Sequence, residues 1–161
     1  MRQAALVVAM LILPAVAFAQ PVSAEKLRIG QSARLVLSFP CQTTLRVTLL
    51  QYLDPARSNA GYRPRPGTRF VALLVRVKNV GKGGCGGPIS QHAELVDSHG
   101  TVFGDDYEWP VMGPALANGV APAKPGDSLT SFISYIIPRK VGRFREFRFG
   151  GSYETAIWLL R

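Results

Sequence analysis

Histidine and cysteine are scarce in this chain, two of each in 161 residues, and acids are outnumbered by bases, 10 to 19. Neither His92 nor His99 belongs to an H-x-H or H-E-x-x-H arrangement, so the spacing of a zinc hydrolase is missing. A copper site of the cupredoxin type needs two His, one Cys and usually a Met converging, but Cys85 has no His or Met close behind it and Met112 stands alone. There is no G-x-S-x-G nucleophile elbow. A 3.6-residue apolar period is absent outside the N-terminal run, and no internal repeat is visible. After that run, no apolar stretch approaches the roughly 20 residues needed to span a bilayer.

What is present begins with an address. Met1-Arg2-Gln3 is a short basic start, residues 4–16 are almost wholly apolar, and Ala17-Phe18-Ala19 is a small-x-small site before Gln20. That is the layout of a secretory signal peptide. The apolar run is too short to span and contains Pro14, and no Cys stands at the cleavage site to take a lipid. The expectation is a signal peptide over 1–19 and one mature domain over 20–161, exported to the periplasm, cell wall or medium. Its 142 residues suffice for one core. At 47% apolar and 18% charged, the composition is globular.

The net charge of +9 is uneven, with a balance of +10 over 26–82, −5 over 83–127 and +4 over 128–161. A basic exported domain suits an anionic surface, either cell-wall polymer or lipid, while scattered surface bases also serve solubility alone. Arg57, Arg63, Arg65 and Arg69 form one cluster, and Arg139, Lys140, Arg143, Arg145 and Arg148 a second. If they share a face, that face is the candidate anionic-surface contact. Another exported protein is an equally open partner. Nucleic acid is not expected, since no basic helix accompanies the charge.

An even pair of cysteines in an oxidising compartment reads as a disulfide, here Cys41–Cys85. It would close a loop of about 45 residues, for which the chain-entropy model gives about 4 kcal/mol as an upper figure.

Period-2 alternation separated by turn residues runs through the mature chain, which predicts strands over 27–38 (broken by a turn or bulge at Gly30), 44–53, 68–79, 128–137, 143–149 and 153–160, with a hairpin over 93–103. In the best of them Val71, Leu73, Val75 and Val77 take the core face, and Arg76 and Lys78 point to water. Residues 54–67, the glycine-rich 81–88 and 104–127 read as loops. Seven or eight short strands predict an all-β, immunoglobulin-like antiparallel sandwich.

Four stretches occur in an order that resembles a known family: Pro66 to Gly81 with its Gly, aromatic, alternating Val and Lys-Asn-x-Gly; Glu94 to Thr101; Lys124-Pro125-Gly126-Asp127; and Ser134-Tyr135-Ile136-Ile137-Pro138. The family is a large group of exported bacterial immunoglobulin-like domains, a domain of unknown function numbered 4352, similar to the mycobacterial secreted immunoprotective antigen fold. The resemblance covers residues 27 to 161 and implies the sandwich. It carries no catalytic residues and says nothing of a disulfide.

The functional expectation is a non-enzymatic binding or interaction module without cofactor. The competing reading is a small secreted hydrolase or metal-dependent enzyme that uses His92 or His99 with the acidic loop Asp105, Asp106 and Glu108, and Asp97 across the hairpin. Hard cations want several such oxygens at once, but the spacing is not that of an EF-hand. Trp109 beside Pro110 reads as a loop anchor rather than a sugar platform.

Overall fold

A computed structural model of the chain describes residues 26–38, 42–58, 61–84, 92–104, 122–150 and 154–161. Among the described residues there are nine strands: β1 (Lys26–Leu27), β2 (Ser32–Leu37), β3 (Thr43–Ala56), β4 (Thr68–Asn79), β5 (Ala93–Asp97), β6 (Val102–Gly104), β7 (Ser128–Pro138), β8 (Phe144–Gly150) and β9 (Thr155–Leu159). They form two sheets, a five-stranded one in the order β1-β9-β8-β5-β6 and a four-stranded one in the order β2-β3-β4-β7. All pairs are antiparallel except β1 with β9. The expected sandwich is the observed fold.

Alternation builds the core. Leu45, Val47 and Leu49 of β3 and Val71, Leu73, Val75 and Val77 of β4 are wholly buried on one face. Opposite them the five-stranded sheet contributes Leu95, Phe147, Phe149 and Trp158. The Trp158 indole N–H donates to the Gln31 carbonyl at 2.9 Å, so this large side chain buries without an orphaned donor. Along β4 the outward face changes character. Phe70 and Ala72 are buried in a second apolar cluster with Ala56, packed by Leu53, Phe132 and Ile136, whereas Arg76 and Lys78 are exposed.

Two Pro-Gly turns set the ends of the β4–β7 pair. Thr68 N–H donates to Arg65 O across Pro66-Gly67, and Asp127 N–H donates to Lys124 O across Pro125-Gly126. Gly67 and Gly126 have φ of 79° and 90°, the positive value that the third position of a type II turn requires. Each turn launches one strand and docks on the other. Arg139 N–H donates to Gly67 O, and Gly126 N–H donates to Asn79 O.

The structure departs from the sequence expectation in three places. The first predicted strand is two, β1 and β2, divided at Gly30. β3 runs past Asp54 to Ala56, with register shifts and a cis Asp54–Pro55 peptide, where a loop was expected. The strand count among the described residues is nine, one above the upper expectation, because the two-residue β1 is too short to show an alternation of its own. Residues 1–25, Cys41, Cys85, Trp109 and Met112 lie outside the described residues, as do Asp105, Asp106 and Glu108.

Candidate functional site

The nine basic residues singled out by sequence separate into distinct settings. Arg63, Arg65, Arg139, Lys140 and Arg143 are exposed at one end of the sandwich, where the turn before β4 meets the turn after β7. The backbone contact from Arg139 to Gly67 and the 3.1 Å hydrogen bond from Arg139 Nε to Thr68 O join those two turns. Arg57 is exposed just beyond β3. Arg145 and Arg148 lie on β8, in the other sheet. Arg148 donates through Nη2 and Nε to Glu146 Oε2, at 2.9 and 3.1 Å, and its register neighbour on β5 is Glu94, so acids neutralise it. The nine therefore do not share one face.

Arg69 is a correction of a different kind. It is not a surface cation; its side chain is 15% exposed and that of its partner Asp54 9%. Arg69 Nε donates to Asp54 Oδ1 at 2.6 Å and Nη2 to Asp54 Oδ2 at 3.1 Å. The other donors reach Pro138 O (3.1 Å), Val141 O (2.9 Å) and Gly142 O (3.0 Å). All five N–H groups of the guanidinium are thus used, and they brace β3 and β4 against the β7–β8 turn. Tyr52 donates its hydroxyl to the same Asp54 Oδ2 at 2.9 Å. Burial, then the Asp54 charge and this hydrogen bond, hold the Tyr52 phenol above its ordinary pKa. The hydrogen bonds that Arg69 donates to Asp54 outweigh desolvation and raise the pKa of Arg69.

At the far end of β4, wholly buried Asn79 does the equivalent work without charge. Its Oδ1 accepts from the Thr43 hydroxyl (2.8 Å) and Gly81 N–H (3.1 Å); its Nδ2 donates to Gly83 O (2.9 Å) and Pro122 O (3.2 Å). This explains the Lys-Asn-x-Gly string. A Cβ on Gly81 would stand 2.4 Å from Thr43 Oγ1 and 2.5 Å from Thr44 N, so only glycine fits.

The histidines do not build a catalytic centre among the described residues. His99 is 80% exposed on the hairpin turn, 3.8 Å from Asp97 Oδ2. Asp97 itself is spent on the turn, where Oδ1 accepts the N–H of His99 (2.8 Å) and of Thr101 (2.9 Å). Burial raises the pKa of this carboxyl, but those hydrogen bonds outweigh it and leave it below the ordinary value. Half-buried His92 packs against Phe149 with ring centroids 6.3 Å apart. Among the described residues no group of three His, Cys, Asp or Glu gathers as a metal would require.

Sequence reasoning missed a second cationic surface, on the outer face of the four-stranded sheet. Register sets Arg34 of β2 opposite Arg46 of β3, and Arg46 opposite Lys78 of β4. All three are exposed, as is Arg76, whose Nε lies 3.4 Å from Thr130 Oγ1. Hydroxyls interleave with them: Ser32 and Thr48, bonded at 2.8 Å, then Thr44, Ser128 and Thr130. No Asp or Glu occupies an outward position on β2, β3, β4 or β7. The signal in the sequence was a base set between two apolar residues in each of three adjoining strands. Only the register joins these positions into a row.

No family model matches the chain, and no curated protein matches it by sequence. Two solved structures are similar. One is a secreted protein of Mycobacterium tuberculosis, MPT63, at 13% identity and TM-score 0.59, covering 86% of this chain and 99% of that one. The other is a conserved hypothetical protein of Bacillus anthracis at 13% identity and TM-score 0.48, covering 81% and 89%. At such identity the first likeness establishes the β-sandwich fold this chain shares with the mycobacterial protein.

Proposed function

We propose that this protein is an exported, non-enzymatic immunoglobulin-like module that binds an anionic partner at the cell envelope, and that it belongs to the family of exported domains numbered 4352. The observation that carries the reading is how its charge is used. Of the described acids, Asp54 and Asp97 are committed to a brace and a turn and Glu146 to Arg148, while exposed Arg63, Lys140 and Arg143 gather at the β4–β7 turn end and Arg34, Arg46 and Lys78 cross the four-stranded sheet. Such a surface attracts anions and offers no acid–base pair for catalysis. The N-terminal pattern supports export with cleavage before Gln20, and the fold shared with a secreted protein agrees with it. Cys41–Cys85 is proposed as a disulfide of the mature chain. The flanking segments support it, since a Cβ on Gly83 would stand only 2.2 Å from Gln42 O.

The test is retention on anionic liposomes and on purified wall polymer at low and at moderate salt. Retention that fades across the physiological range, where the screening length falls to about 8 Å, is the expected result. Salt-independent retention would indicate a specific protein partner instead, and no retention at low salt would leave the charge to solubility alone.

A further inference from the structure

We propose that the cationic half of the four-stranded sheet's outer face is a track for a linear polyanion bearing phosphodiester or carboxylate groups, which crosses the strands from Arg34 through Arg46 to Lys78. The proposal rests on the binding reading above and names the site and the ligand chemistry.

Geometry supplies the first argument. The three bases are direct register neighbours on adjacent strands, so their backbones are spaced by about 4.8 Å in a line perpendicular to the strands. A straight row of regularly spaced cations on an open sheet matches an extended chain with repeating anions rather than a compact ligand. Two of the three are arginines, whose planar fork fits phosphate and carboxylate oxygens alike.

Energetics supplies the second. Like charges directly opposite on neighbouring strands destabilise a sheet. Here the same sign is set opposite twice in succession, with no acid on the face to relieve it. Protection of a free edge explains a base on the outermost strand β2, but not bases on the interior strands β3 and β4. An arrangement that costs the fold energy in this way is relieved by a bound polyanion.

The surroundings supply the third. Thr44 and Thr130 put hydroxyls beside the row, where they can bond to polar groups of a polymer backbone. A shallow groove of about 360 Å³ lined by Val36, Gln42, Thr44 and Lys82 continues the surface on the side of β2 and β3. Of the large apolar side chains among the described residues, only Val36 is notably exposed on this half, which is too little to anchor in a bilayer. A polymer is therefore favoured over a membrane.

Two variants of equal charge change test it on the full mature chain. The row variant is R34Q/R46Q/K78Q; the end variant is R63Q/K140Q/R143Q. Each is titrated with labelled inorganic polyphosphate, labelled poly-γ-glutamate and anionic phospholipid vesicles between about 50 and 200 mM salt. The wild type is expected to bind at least one polymer. The row variant should lose affinity for it at least about tenfold at low salt, and the slope of log affinity against log salt should shrink by about three, one for each contact. The end variant should change less than about threefold, and the row variant should melt no lower than wild type. Polyphosphate and polyglutamate arms show which anion is taken. Equal loss in both variants, loss only in the end variant, or row-dependent binding to vesicles but not polymer would each overturn the track while leaving an anionic partner in place. A wild type that binds none of the three at low salt overturns the track and the binding reading together.

Discussion

Replacing Arg69 with methionine should be the most damaging single change at a charged residue in this protein. The substitution keeps an unbranched apolar stem and removes five hydrogen bonds at once, two to Asp54 and one each to Pro138, Val141 and Gly142. Asp54 would keep only the Tyr52 hydroxyl among these partners, in a setting where its side chain is 9% exposed. Breaking a buried ion pair from one side costs about 3–5 kcal/mol. The brace keeps some contact with water at its rim, so the lower end, about 3 kcal/mol, is expected. For a domain of this size that corresponds to a fall in Tm of about 10 °C. Urea unfolding of wild type, R69M, R69K and D54N/R69M measures it. Lysine keeps the charge but cannot form the fork, so R69K should fall between wild type and R69M. The double variant removes the stranded carboxylate charge and should recover about 1 kcal/mol or more relative to R69M. A cost for R69M below about 1 kcal/mol would refute the brace and return Arg69 to the class of solvated surface cations.

Asn79→Asp should cost roughly 2–4 kcal/mol in urea unfolding, because an oxygen would face Gly83 O and Pro122 O where an amide now donates; a neutral result would show that the loop ends relax away. Gly81→Ala should cost about 1–3 kcal/mol by the same assay, since the new methyl meets the Thr44 backbone as well as the Thr43 hydroxyl. The raised pKa of Tyr52 means the folded state holds its phenolic proton more tightly than the unfolded one, so its contribution is complete below about pH 10 and is lost as pH rises past it. Chemical denaturation from neutral to strongly alkaline pH should therefore show a steeper loss in wild type than in Tyr52→Phe; parallel curves would disprove the linkage. Intact mass of the protein made by its native host, alkylated with and without reductant, should reveal label at Cys41 and Cys85 only after reduction; two thiols labelled without it would sink the bridge.

Alternation made much of the sheet content legible. The 68–79 strand has its expected bounds, and the Asp97-to-Gly100 turn forms the expected hairpin. What stayed hidden has two physical causes. Proline inside an apolar run reads as a stop, yet β3 continues through Pro55 by shifting register, so that Ala56 still pairs with Phe70. The remaining misses are pairings at a distance. Arg69 looks like one more loop-side cation until Asp54, fifteen residues earlier, is folded back against it. Arg34, Arg46 and Lys78 are unremarkable singly and become a row only in register. The Lys-Asn-x-Gly motif was visible as a pattern, but the four polar contacts of the Asn79 side chain that give it meaning come from residues 43, 81, 83 and 122.

The parallel pairing of β1 with β9 has a consequence for the order of assembly. β9 lies between β1 and β8, so Lys26 and Leu27 have no place in the five-stranded sheet until residues 155–159 have taken theirs. The earliest strand to leave a ribosome, or to emerge from a translocation channel, is thus among the last to dock. Such end-to-end closure is slow by its topology. In a chain moved across a membrane before it folds, that delay works in its favour: the sheet that would jam the channel cannot be completed until the last strand has passed through.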